Sequence, residues 1–464
     1  MFDRSGCGAV PGGPGACGEE RLARACAAAL LALALAGRAA AEAATSSSAQ
    51  PPAADERYAL HAQLTYVEQE TGGFHAPYAG PQSLSPDEGR ETVDATLYAG
   101  LRLWGGAEAW LNGELDQGFG LDGTLGVAGF PSGEAYKIGR ETPYLRLPRA
   151  FIRQTWGLGG EAQAVDGDLN QLSGQRTSDR LVLTVGKFGV GDVFDALGYA
   201  HDPRSDFLNW SALDASTFDY AADAWGYTIG AALEYYAGRW TTRAALFDLS
   251  NIPNSPHLDP GAHEFQLLAE LEHRHELGGA AGRVLITVFD NRGRMGLLKD
   301  AVARGATGET VDVASVRTFR SRTGVHVSAE QALTESLAAF ARVGGASGNV
   351  EAYEFTDVDR AAMLGACLRG VGWDRPADSV ALAFLLNEAS ATRQQYLGAG
   401  GLGILIGDGE LPHPGSERIL ESYYQAALGA HVHLTLDFQR VTNPGFNRDR
   451  GPVPILAVRL HAQF

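Results

Sequence analysis

The body of this chain has no cysteine pair, no membrane helix and no excess of positive charge. Of its four cysteines, Cys7, Cys17 and Cys26 crowd the amino terminus and only Cys367 lies further on. An exported form therefore has no pair to bridge, and something other than disulfides must hold it. Past the amino-terminal region no apolar run approaches the roughly 20 residues a spanning helix needs, and no sustained 3.6-residue periodicity replaces it. The net charge of −18 excludes nucleic acid as the natural partner. Catalytic spacing is missing too: neither a Ser-His-Asp set nor paired carboxylates stand out. "GAGGLG" (398–403) fits a dinucleotide fingerprint but lacks the strand before and the helix after it. His273/His275 and His431/His433 put two imidazoles on one strand face, with no third ligand in view. The expectation is a protein that is not an enzyme and carries no cofactor or metal.

What is present begins with an export signal. Arg21 and Arg24 precede "ACAAALLALALAG" (25–37) and the small-residue exit "RAAAEAA". A basic start, a short apolar core and small residues describe a secretory signal peptide. We expect 1–41 to be that peptide, with cleavage after Ala41 or Ala44, and residues 1–20 to be an over-extended start. A short periplasmic segment, 42–56, would then lead into one domain over 57–464.

That domain alternates. In "YALHAQLTY", Tyr58, Leu60, Ala62, Leu64 and Tyr66 share one face, and His61, Gln63 and Thr65 share the other. "ATLYAGLRLW" and "AEAWLNGELD" repeat the pattern, and so do 225–236, 239–248, 264–275 and 432–440. A period of two is the signature of a strand with one apolar and one wet face. About sixteen such strands can be counted (eighteen are possible), each near the length that crosses a bilayer when tilted. Tight links at Gly105-Gly106, Ala237-Gly238, Gly278–Ala280, Ala332–Thr334 and Gly429-Ala430 alternate with long segments at 70–92, 118–143, 189–223, 249–262, 292–312, 345–360 and 389–416. Only 158–179 is long where a short turn is due. A soluble β-sandwich also alternates, but it packs apolar face on apolar face, whereas here strand after strand sets a greasy face against a strongly charged one. The all-β fold expected is a closed transmembrane antiparallel barrel, since lipid leaves no partner for an unpaired edge. Short turns would face the periplasm and long loops the exterior. The chain closes on "PILAVRLHAQF", an amphipathic strand ending in Phe464, which is similar to the last-strand assembly signal of outer-membrane barrels.

The segment from 184 to 227 is the most informative. "GKFGVGDVFD", "YAHDPRSDFLNW" and "FDYAADAWGYT", in this order and spacing, resemble the carbohydrate-selective porin family (OprB), and the similarity extends over 55–464. The resemblance implies an outer-membrane barrel that passes sugars by diffusion. Its partners would be sugars as permeant solutes, outer-membrane lipid and lipopolysaccharide, and the barrel-assembly machinery. A monomer and a homotrimer both remain open.

Sugar hydroxyls bond to carboxylates, amides and guanidinium groups, and sugar C–H faces pack on aromatic rings. The long segment offers Asp192, Asp195, Asp202, Arg204 and Asp206, with Asn209, Trp210, Asp219 and Asp223 beyond them. Arg102, Trp110, Glu114, Arg153 and Lys187 have the parity or position to project into the same lumen. We expect the loop 189–223 to fold inward, narrow the lumen and carry its acids towards Arg102 and Arg153. Each residue also has a plainer reading: Asp202-Pro203-Arg204 as a turn with a structural ion pair, Trp210 and Trp225 as packing, Arg102 and Arg153 as generic lumen charges. A non-selective or ion-preferring porin is the nearest rival function. A polysaccharide-export barrel and a barrel enzyme stand further off.

Overall fold

The computed structural model describes residues 55–135 and 139–464, so the expected signal peptide and nearly all of 42–56 lie outside the described residues. Sixteen strands follow one another: β1 (Tyr58–Thr71), β2 (Gly89–Trp104), β3 (Ala107–Gly118), β4 (Arg140–Val165), β5 (Gly174–Phe188), β6 (Thr228–Ala237), β7 (Trp240–Asp248) and β8 (Phe265–Leu277) make one half. β9 (Ala280–Met295), β10 (Thr318–Ala332), β11 (Leu337–Ala346), β12 (Arg360–Gly370), β13 (Arg375–Glu388), β14 (Glu417–Ala427), β15 (Val432–Thr442) and β16 (Val453–Gln463) make the other. Each strand pairs with its sequence neighbours, and β1 closes on β16 in antiparallel register from Gln63↔Gln463 to Thr71↔Ile455. No edge is left to solvent or lipid, which is the condition for crossing a bilayer with strands.

The period of two sorts the walls. In β2, Thr92, Asp94, Thr96 and Tyr98 point inward and are buried, whereas Leu97 and Leu101 are half exposed. Leu145, Leu364 and Leu456 are exposed by 79%, 66% and 63% on the outer face. Large apolar side chains outside and carboxylates inside invert the arrangement of a soluble protein, and lipid is the solvent that fits. Exposed Tyr58, Trp104, Trp156, Tyr235, Trp240 and Trp373 gather at the short-turn end, where amphipathic rings mark a membrane–water boundary.

The puzzling connection 158–179 proves to be no loop. The β4–β5 ladder continues past Gly157, through register shifts at Gly159 and Ala162, to Val165↔Gly174. Positive φ at Gly159 (116°) and Gly160 (79°) bends the hairpin, a backbone conformation open to glycine. Its tip then lies across the short-turn mouth. Ser173 O accepts from the Glu56 N–H at 3.2 Å and from Arg102 at 2.8 Å, and Gln463 on β16 donates to Asp168 at 3.3 Å.

Segment 189–227 turns inward, as expected. It carries one short helix, α1 (Trp210–Leu213), and crosses the lumen to the far wall. There Glu421 on β14 accepts from the backbone of Leu208 (2.6 Å) and Asn209 (3.1 Å). Arg459 on β16 donates to the carbonyls of Pro203 (2.5 Å) and Asp206 (2.8 Å).

Candidate functional site

Four residues of β4, "RLPR" (146–149), set up the site. Asn112 on β3 pairs with Arg149 while Glu114 pairs with Arg146, so β4 carries one extra residue between the two arginines. Pro148 cannot donate to the ladder and marks this bulge. The bulge resets parity, so residues three apart both face the lumen. Arg149 forms a two-pronged pair with Asp192 of the inward segment at 2.7 and 2.6 Å. Arg146 pairs with Glu114 and Asp116 on β3. The inward segment supplies the opposing cation. Arg204 reaches Asp94 at 3.1 Å, Glu114 at 3.5 Å and Glu134 at 3.3 Å.

Aromatic rings stand at the same level. Tyr227 lies under both Arg146 (5.2 Å to the ring centroid) and Arg149 (4.9 Å), and Trp225 lies 5.6 Å from Arg146. The Trp225 indole N–H is fixed by the Tyr144 hydroxyl at 2.8 Å.

Four cavities follow one another down the lumen. The first, about 100 Å³, has Phe130, Trp210, Trp225, Arg146 and Arg204 in its wall. A second, about 340 Å³, shares Arg204, Trp225 and Tyr227 with it and adds Arg149, Asp192 and Asp202. Leu169, Asn170 and Asp192 then border a third of about 230 Å³, and Arg153 and Gln171 join that to a vestibule of about 860 Å³ beneath.

Residues 82–464 match the carbohydrate-selective porin, OprB family. The chain belongs to that family. Among solved structures, the high-pH form of Pseudomonas putida OprB aligns over 88% of this chain and 94% of its own, with a TM-score of 0.67 at 15% identity. The outer-membrane channel DcaP of Acinetobacter baumannii aligns over 88% and 97%, with a TM-score of 0.48 at 9% identity. No curated protein matches. As a porin of this family, the chain is an outer-membrane β-barrel, with its long loops extracellular and its short turns periplasmic.

Several expected positions differ from those found. Arg102 does not meet the acids of the inward segment; it donates to the carbonyls of Glu56 (2.7 Å) and Ser173 (2.8 Å) at the periplasmic end. Arg153 also lies away from the upper cavities, bordering the lower two, paired with Glu108 at 2.9 Å and donating to Asn170 O at 2.8 Å. Lys187 shares the outward parity of Leu183 and Val185 and reaches Asp223 at 2.8 Å. It leaves the lumen because position in the chain, not parity, had placed it there. Trp110 points inward but is buried beneath the hairpin tip, among Tyr98, Phe151 and Leu172.

Four segment residues hold the segment in shape and place. Asp195, wholly buried, pairs with Arg342 at 3.0 Å. Asn209 caps α1 by accepting from the Ser211 N–H at 3.0 Å, and its amide donates to Gly129 O and Gln439. Asp206 accepts from the N–H groups of His201 (3.0 Å) and Asp202 (3.1 Å), closing a turn. Asp219, also buried, accepts from the backbone of Tyr353, Glu354 and Phe355 and so ties the segment to an outer loop. Asp192, Asp202, Arg204 and Trp210 do converge on the upper cavities, and Glu114 lies buried behind them, paired with Arg146 and Arg204. Sequence reading missed Arg146, Arg149 and Tyr227, and Pro148 inside a strand was the available signal.

Proposed function

We propose that this porin admits neutral carbohydrates by passive diffusion and selects them at the narrows between Arg146, Arg149, Arg204 and Tyr227. The observation that carries the reading is an arrangement: guanidinium groups paired with carboxylates line two adjoining cavities, which share Arg204, Trp225 and Tyr227. A sugar hydroxyl donates to a carboxylate and accepts from a guanidinium at once, while ring C–H groups rest on Tyr227 and Trp225. An apolar solute of like size would displace the wall's water without replacing its hydrogen bonds. Because the charged groups are already paired, each gives only a share of its bonding to the solute. The site therefore holds sugar weakly enough to release it.

In planar bilayers the mature chain should form open channels whose current falls saturably as glucose or maltose is added. Open channels without saturable block by any mono- or disaccharide would leave a non-selective porin. We further propose that Phe464, directly after β16, is read during insertion. Its deletion should lower the amount of heat-modifiable barrel in the outer membrane, and normal yield at low expression would count against that role.

A further inference from the structure

The β4–β5 hairpin reaches the solute path from the periplasmic side. Its tip is held at several points. Arg153 bonds Asn170 O, Glu108 accepts from the Leu172 N–H at 3.1 Å, and Glu56 accepts from the Ser173 N–H at 2.9 Å. Leu172 is buried against Trp110 and Phe151 of the barrel wall. A tip tied to the segment just before β1 and to β2, β3 and β4 is part of the wall.

That tip borders the cavity below the narrows, about 230 Å³ in volume, together with Arg153, Asp192, Phe151 and Phe188. Asn170 and Asp192 also border the cavity above. Asn170 stands at φ +55°, and its side-chain oxygen, shielded from solvent, has no hydrogen-bond partner within the protein. Such an acceptor is costly unless a donor arrives. A turn of the amide about its terminal bond, a broad and soft torsion, brings this oxygen to the cavity, where a hydroxyl of a passing solute is a donor of the right kind.

We propose that the hairpin is the periplasmic wall of the passage, and that Asn170, Arg153 and Asp192 form a second carbohydrate subsite directly below the narrows. This rests on the sugar-porin reading. Asn170 Oδ1 accepts a hydroxyl proton, the Arg153 guanidinium donates to a sugar oxygen, and the phenyl faces take ring C–H groups. Asp192 borders both cavities, so a sugar leaving the upper site meets new partners before it has lost the old ones. Such a handover in steps is what lets a selective pore conduct.

The test uses Asn170→Gly and a trimmed hairpin with 166–173 replaced by Asn-Gly. Glycine tolerates the positive φ, so the first variant removes the side chain without backbone strain. Planar-bilayer recordings with glucose and maltose should show sugar block weakened roughly two- to tenfold in Asn170→Gly, the loss of one hydrogen bond. The trimmed barrel, verified by heat-modifiable migration, should show a higher single-channel conductance. Wild-type block in Asn170→Gly overturns the subsite, and wild-type conductance after trimming overturns the wall. If trimming prevents assembly, Asn170→Gly alone decides. A parent channel that no sugar blocks sinks the sugar reading instead, and the conductance comparison still judges the hairpin.

Discussion

Arg204→Ala is expected to remove most sugar block and to turn the channel strongly cation-preferring. Arg204 is the one guanidinium that the inward segment brings to Asp94, Glu114 and Glu134 together, at 3.1, 3.5 and 3.3 Å. Without it, Asp94 and Glu134 lose a cation and Glu114 keeps only Arg146. At such distances a unit charge pair in a partly wet protein site is worth up to about 4 kcal/mol, so the potential along the narrows swings sharply negative. Permeant cations then gather where a neutral sugar had bonded to both walls. The segment itself should stay in place, because its anchors to Glu421 and Arg459 do not involve Arg204. Reversal potentials in a salt gradient and sugar titrations on the same channels measure both effects. Arg204→Lys should restore ion preference better than sugar block, since an ammonium keeps the charge but not the planar fork that spans several acceptors. An Arg204→Ala channel with unchanged reversal potential would mean that ions pass elsewhere.

Much of the barrel was legible because a wall between lipid and water imposes one strict rule on alternate residues. Leu97, Ala99 and Leu101 face out and Thr96, Tyr98 and Arg102 face in, as their parity demands. The same rule misleads wherever the ladder slips. Alternation assigns Arg146 and Arg149 to opposite faces, and only the bulge at Pro148 brings both inside. Residues 158–179 read as a long connection where a short turn is due, yet Gly159 and Gly160 bend two strands that go on pairing. Once that hairpin crosses the mouth, it claims Arg102 and Arg153 for its own carbonyls, and no local pattern announces a partner so far along the chain.

The acids of the inward segment were hidden for another reason. Asp192, Asp195 and Asp206 are alike in composition and neighbourhood. Which one lines a cavity depends on which partner lies opposite: Arg149 for Asp192, Arg342 for Asp195, the segment's own backbone for Asp206. Resemblance to a family finds such a segment. It does not tell the anchors from the contacts.

The strongest anchor gives the second large effect. Asp195→Ala should release the inward segment and produce channels of higher, noisier conductance while the barrel still assembles. The Asp195 carboxylate accepts from the Ala215 N–H at 2.7 Å and the Ser328 hydroxyl at 2.5 Å, and it pairs with Arg342 at 3.0 Å. Arg342 in turn donates to the carbonyls of Ala212 and Ala200, so one buried pair fastens two parts of the segment to β11. Removing the carboxylate strands a buried guanidinium, which costs about 3–5 kcal/mol. The sixteen-strand ladder does not depend on that pair, so the loss falls on the segment. Asn tolerates the positive φ of 53° at this position and keeps an acceptor, so Asp195→Asn should be milder. Burial alone would raise the Asp195 carboxyl, but Arg342, His326, the Ser328 hydroxyl and the Ala215 N–H together outweigh it and hold the group below the usual carboxylate range. A depressed acid contributes fully above its unfolded value, near 3.9, and is lost as pH falls through its lower folded value. The parent channel should thus stay quiet from neutral pH down past the ordinary carboxylate range and become noisy only in stronger acid. Asp195→Ala should be noisy throughout and show no such transition. Quiet, wild-type conductance in Asp195→Ala would show that the segment is held by its other contacts alone.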